Sequence, residues 1–240
     1  MLNKNMYHDY LNVLKFDDKK RYGVRSDGGY VIGVLPNVRY DCYISCGVSN
    51  EESFTCDFLK DHSYLTKQNC FAFDGTIAHY PWQYTTEITF FRKNIDKNND
   101  LSDIIKKYND IFLNMDIEGG EYTWIMAMTE EQLKQFKQIV IEFHGLDGTN
   151  SWNADHDIKI ACLEKLSNTH YLIHAHGNNH ASCSNNIPSV IELTYVNKCL
   201  FSKEPELNDI PLPIPGLDFK NNQRKPEINL NHKPFVTNLC

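Results

Sequence analysis

Residues 111–121 read IFLNMDIEGGE, an apolar run that stops at Asp116, Glu118 and Glu121 around the Gly119–Gly120 pair. Ile111, Phe112, Leu113 and Met115 suit a strand buried on both faces, so the acids stand at its carboxyl end. Three carboxylates this close raise one another's pKa unless a cation or a donor compensates them. Asp116, enclosed in NMDIEGG, is the most expensive of them to bury. The positive end of a ligand, a divalent metal, or a hydroxyl awaiting deprotonation would each justify the three together. Glu118 and Glu121 also suit the start of the helix expected over 121–136, where the dipole favours acids.

Working outward, the same strand-then-polar pattern recurs. YDCYISCGV, CFAFDGTI, ITFFRKNI, QIVIEFHG, HYLIHAHG and PSVIELTYV are strands, and ESFTCDFLKDH, LSDIIKKYN and HDIKIACLEKLSN are helices. Alternation of this kind predicts an α/β fold with a seven-stranded, mostly parallel, Rossmann-like sheet and helices on both faces. The last two strands are close enough in sequence to pair antiparallel. Upstream, residues 9–16 suit a short helix, and RYGVRSDGGYVIGVLP a hairpin turning at Asp27-Gly28-Gly29. Downstream of Ser202 the prolines concentrate and periodicity ends. The chain thus divides into an N-terminal helix and hairpin (1–39), a core sheet (40–202) and an extended tail (203–240), all within one domain, 1–240.

Composition narrows the function. The net charge of −7 disfavours a nucleic-acid partner, which needs a basic face to displace counterions. No apolar run approaches the roughly 20 residues that span a bilayer, and the N-terminus lacks a signal-peptide core. A cytoplasmic protein acting on a small molecule is the expectation; nothing in the sequence sets its oligomeric state. The eight cysteines, Cys42, Cys46, Cys56, Cys70, Cys162, Cys183, Cys199 and Cys240, form no zinc-like spacing and read as reduced thiols.

In an open parallel sheet, ligands bind beyond the carboxyl ends of the strands, where strand order reverses. Those ends carry Ser45-Cys46-Gly47, Asp74-Gly75-Thr76, Asp116 with Glu118, Glu142-Phe143-His144 and His174-Ala175-His176. Gly47 lets the backbone approach a ligand closely. The following Glu51 and Glu52 would repel a pyrophosphate, and GxGxxG is missing, so a nucleotide-dependent oxidoreductase fails at this turn. A cationic or zwitterionic ligand fits better. Asp74 is placed to accept hydrogen bonds from a ribose. Glu142 and His144 share one face of their strand, as a carboxylate orienting a general base or as metal ligands with Asp116. His174 and His176 repeat that spacing. Arg25, Tyr30, Asn178 and the aromatic stretch 79–84 are candidate substrate walls, with the hairpin turn as a lid.

The segments SCGVSNEESF, FAFDGT, FLNMDIEGGEYTWI, QIVIEFHG, HAHGNN and PSVIELTYV together resemble the FkbM-type methyltransferases of the class I methyltransferase fold, over about residues 21–219. Asn114 stands where that family commonly has lysine, and the first turn departs from the GxGxG of class I methyltransferases. The resemblance implies S-adenosylmethionine as cofactor, held by Ser45, Gly47, Val48, Asn50, Asp74, Gly75, Thr76 and Asp116. It also implies transfer to a hydroxyl of a sugar or other small metabolite, as in surface polysaccharide modification. Asp116, His144 and Glu142 are then the catalytic candidates, Arg25, Tyr30, Glu118, His176 and Asn178 the acceptor-binding ones. The alternatives are an inactive methyltransferase-like binding module and an RNA methyltransferase.

Overall fold

A computed structural model describes residues 9–99, 101–147 and 155–237. Its strands are β1 Lys19–Tyr22, β2 Tyr30–Gly33, β3 Cys42–Cys46, β4 Cys70–Phe73, β5 Thr89–Phe91, β6 Ile111–Met115, β7 Phe136–His144, β8 His170–Gly177, β9 Cys183–Ser184, β10 Ile187–Pro188 and β11 Val190–Asn197. The helices are α1 Ser53–Asp61, α2 Ser102–Ile105, α3 Glu121–Ala127, α4 Glu130–Leu133 and α5 His156–Thr169. Seven strands form one sheet in the order β5-β4-β3-β6-β7-β11-β8. β5, β4, β3, β6 and β7 run parallel, and β11 is antiparallel to both of its neighbours. The order reverses beside β3, whose partners are β4 on one side and β6 on the other.

Alternation along the strands supplies two cores. Ile44, Leu113 and Ile141 face one side, where they join a cluster with Ile125, Leu133, Leu163 and Leu166 from the helices. Tyr43, Phe112 and Val140 face the other, with Phe54 and Phe58 of α1 and Tyr22, Tyr30 and Ile32 of the β1–β2 hairpin. Phe58 meets the Phe112 and Tyr43 rings at centroid distances of 4.3 and 4.8 Å. The hairpin docks through Gln138 of β7, whose amide accepts from Gly33 N–H and donates to Gly33 C=O. That amide is fully buried, so both of its ends need these partners.

Two expectations change. Residues 11–16 are extended, not helical: Leu11 and Val13 alternate into the core, and Leu14 bridges Leu207 of the tail. The expected helix 121–136 breaks at Met128, because Thr129 starts a new helix with a capping box to Gln132. It then ends in time for β7 to begin at Phe136.

The tail from residue 203 has no regular element, yet it is laid onto the domain. Leu212, Leu230, Phe235 and Val236 are at most 1% exposed and join the first core. Phe235→Ala should therefore cost about 3–5 kcal/mol, read as a lower urea midpoint. An unchanged midpoint would mean that the tail does not pack on the domain in solution.

Candidate active site

The seam between β3 and β6 builds the site. Beyond Cys46, Gly47 turns with φ +84°, and a Cβ there would lie 1.5 Å from the Asp116 carbonyl oxygen. Glycine was expected here for approach to a ligand. Its first use is contact with the backbone of the neighbouring strand end. Asp116 N–H donates to Cys46 C=O, and Gly47 N–H to Phe73 C=O, so three strand ends are tied together. Two non-glycine residues at the seam, Ser49 and Glu118, hold positive φ of 48° and 54°. Backbone strain of this kind collects at functional sites.

Two cavities open here and share Gly47, Ser49, Asp116 and Glu118 as walls. One, of about 240 Å³, adds Phe73, Asp74, Thr76, Lys93, Asn94, Ile95 and Ile117. The other, of about 190 Å³, adds Asp27, Tyr30, Val48, Glu51, Glu52 and Asn114, with no lysine or arginine among its described walls. Asp74 closes the first. Its Oδ1 accepts from Thr76 N–H, Thr76 Oγ1–H and Ile77 N–H, and its Oδ2 from Ser49 N–H. Despite partial burial, those donors hold its pKa below the usual carboxylate range. One accepting direction of Oδ2 remains for a ligand. Gly75 N–H donates to Asn94 Oδ1, which links the turn after β4 to the chain beyond β5.

Glu52 floors the second cavity. Ser45 Oγ–H and Tyr80 O–H both donate to it, and burial raises its pKa to about 7. Its native pKa exceeds the usual 4.5, so the folded state binds its proton more tightly than the unfolded chain does. Stability therefore falls as pH rises from about 4.5 to 7, by about 3 kcal/mol in all. Glu52→Gln should flatten that part of the curve in denaturant titrations between pH 5 and 8. An unchanged slope would assign the dependence to other groups.

Behind Asp116, which walls both cavities, lie the buried Glu142 and His144, neither of them a cavity wall. His144 Nε2 lies 3.8 Å from Asp116 Oδ1, 3.7 Å from Glu142 Oε1 and 3.4 Å from Glu118 Oε2. Its Nδ1 lies 3.3 Å from Glu121 Oε1. Burial opposes the imidazolium, but the Glu121 contact and the charges of Glu121, Asp116 and Glu118 outweigh it and raise the His144 pKa. Burial lifts Asp116 to about 7, with Glu121 and Glu118 adding to it and His144 opposing. Glu142 is driven well above its usual value by burial and by Asp116 and Glu192. A set of this kind can take a proton near neutral pH or hold a cation.

Other candidates are placed differently. Ser45 is 1% exposed and spends its hydroxyl on Glu52, and Asn50 is exposed and walls neither cavity. Val48 walls the second cavity while packing in the aromatic core. Arg25 is exposed and lies over the Phe219 ring of the tail, 5.2 Å away, so it does not reach the cavities. His176 is buried against Glu192 and Glu227, and His174 against Asp218, so neither joins Asp116. Asn178 is 5% exposed and donates to Glu142 and Asp27, which makes it a support of the site. The hairpin turn does reach over the sheet end: Asp27 accepts from Asn178 and Asn221, and Gly28 and Tyr30 wall the second cavity. In the aromatic stretch, the Tyr80 and Tyr84 hydroxyls bind Glu52 and Glu51, while Trp82 is half exposed. In sequence, Glu52 reads only as an acid that repels a pyrophosphate, and Glu121 as one of three clustered acids that also suits a helix start. Only their burial beside polar strand ends marks them.

The strand order, read within the sheet as 3-2-1-4-5-7-6 with the seventh strand reversed, is that of the class I methyltransferases. The fold is a Rossmann-like methyltransferase fold. No protein-family model matches the chain, and no curated protein does. Among solved structures, it is similar to the Methanococcus jannaschii fibrillarin pre-rRNA processing protein, at 12% identity over 70% of each chain and a TM-score of 0.40. Likeness of that degree carries nothing about substrate. Among the described residues, no helix is long and apolar enough to cross a membrane.

Proposed function

We propose that the chain is an S-adenosylmethionine-dependent methyltransferase that methylates a hydroxyl of a sugar or another small metabolite, with the FkbM-type enzymes as its family. The observation that carries this is the pair of cavities at the Gly47–Asp116 seam, on the switch point of the sheet, whose shared wall Asp116 belongs to a buried acid–imidazole set. The first cavity suits a nucleoside: Phe73, Ile95 and Ile117 offer apolar faces, Asn94 an amide, and Asp74 Oδ2 an acceptor for a ribose hydroxyl. The second has acidic walls and suits a positively charged end. Bound there, S-adenosylmethionine would supply a sulfonium-activated methyl group for transfer to oxygen.

The chain's own share is to hold the acceptor hydroxyl and receive its proton. Asp116 walls both cavities and belongs to the acid–imidazole set, which supports giving it contact with both reactants. Proximity of two bound reactants is worth up to about 7–11 kcal/mol, and a positioned base about 10²–10⁴-fold. Tyr30 and Glu118 are the remaining acceptor-side groups on the second cavity's wall. Asp27, Glu51, Asp116 and Glu118 make that mouth acidic, which favours a neutral polyol over a phosphate-rich polymer.

The test is to incubate the protein with methyl-tritiated S-adenosylmethionine and, separately, a nucleotide-sugar and glycan fraction or total RNA. Label in the sugar fraction is expected. Label confined to RNA would overturn the acceptor class, and label in neither, with no cofactor binding, the enzyme itself.

A further inference from the structure

His144 is presented as a metal ligand is. The Glu121 oxygen that its Nδ1 meets already accepts backbone N–H groups from Ile117 and Gly119. That oxygen is an acceptor throughout, so Nδ1 turns a proton toward it, and Nε2 is the nitrogen on the side of Asp116 and Glu142. A carboxylate on the far nitrogen is the usual second contact of a metal-bound imidazole. Nε2 lies 3.8 Å from Asp116 Oδ1 and 3.7 Å from Glu142 Oε1, and two carboxylates gathered this closely repel each other unless a positive centre sits between them. One atom from each of Asp116, Glu142 and His144 lies within 4.8 Å of the others, the one such group among the described residues.

The carboxylates point to the same conclusion independently. Glu142 is 4% exposed, and its Oε2 has no hydrogen-bond partner among the described residues. Asp116 Oδ1 is likewise buried and without one. Two buried carboxylate oxygens without donors are costly to enclose unless something positive joins them. Asn178 donates to Glu142 Oε1, which steadies one edge of that carboxylate and leaves the other.

We propose that Asp116, Glu142 and His144 hold a divalent cation of the manganese or iron class. Two carboxylates and one imidazole suit these ions better than magnesium, which prefers all-oxygen shells and keeps its waters. Three protein ligands fall short of the four of a closed structural site, so positions stay open toward the cavity that Asp116 walls. Its use rests on the transferase assignment above: the open positions would take the acceptor hydroxyl and lower its pKa, which would ease passage of its proton to a carboxylate of the site. Cation binding itself needs no such assignment.

The test is a titration of the chelator-stripped full chain with MnCl₂, following free Mn²⁺ by electron paramagnetic resonance. One Mn²⁺ per chain is expected, bound at least tenfold more tightly than Mg²⁺ measured by competition. Asp116→Asn and Glu142→Gln should each weaken it about a hundredfold or more, while Glu227→Gln, on the neighbouring histidine, changes nothing. Less than one equivalent bound at about 1 mM Mn²⁺ overturns the proposal, and so does wild-type affinity in both variants. The wild-type titration decides even where a variant fails to fold. Calorimetry with S-adenosylhomocysteine on the same stripped sample separates the two claims. Cofactor binding without Mn²⁺ binding ends the cation site alone; Mn²⁺ binding without cofactor binding ends the transferase assignment alone.

Discussion

Asp116→Asn is expected to lower methyl transfer about a thousandfold or more while leaving the fold intact. The substitution keeps the backbone that ties β6 to β3, since the Asp116 N–H still donates to Cys46 and its carbonyl still packs on Gly47. It removes the charge. Asparagine neither accepts a proton nor binds a cation as a carboxylate does, so the base or metal contribution, about 10²–10⁴-fold, is lost. S-adenosylhomocysteine affinity should change only severalfold, because Asp116 is one wall among many. Rate constants for tritium transfer under saturating cofactor read the effect. Turnover near wild type would remove Asp116 from the chemistry.

Gly47→Ala should be more damaging than its single methyl suggests. The added carbon would overlap the Asp116 carbonyl, which is backbone held by the sheet and cannot rotate away. The positive φ adds roughly 1–2 kcal/mol on its own. Moving β3 from β6 also breaks the Asp116-to-Cys46 hydrogen bond. A total loss above about 4 kcal/mol is expected, a fall of roughly 8–16 °C in Tm, with cofactor binding lost. Gly216→Ala is the control: φ is +85°, but nothing lies within 4 Å of its Cβ, so only the conformational cost applies. Equal shifts in the two variants would mean that the β3–β6 contact is loose in solution.

Much of this site is legible from residues 40–197. Buried parallel strands are long apolar runs, and the polar groups that interrupt them fall where strands end; Asp74, Asp116, Glu142 and His144 all lie at such ends. Partners that act across the sheet left no such mark. Glu121 reads as a helix-start acid, and only the return of β7 beside β6 brings it to His144. Glu52 sits in a run of acids that looks solvated, and its burial depends on Tyr80 folding back from after β4. Residues 9–16 show apolar spacing compatible with a helix, but from residue 11 onward the chain is extended and bridges the tail at Leu207. The tail's own contribution is illegible because proline-rich segments bury side chains without periodicity. His176 shows the converse error. It has the spacing of a site residue, yet Glu192 and Glu227 enclose it within the fold.

A crystal structure grown with S-adenosylhomocysteine decides most directly whether this sheet end is a cofactor site. The nucleoside is predicted beside Asp74 in the first cavity, with the sulfur directed past Gly47 toward Asp116. Ligand bound elsewhere, or crystals that stay ligand-free at millimolar concentration, would contradict it.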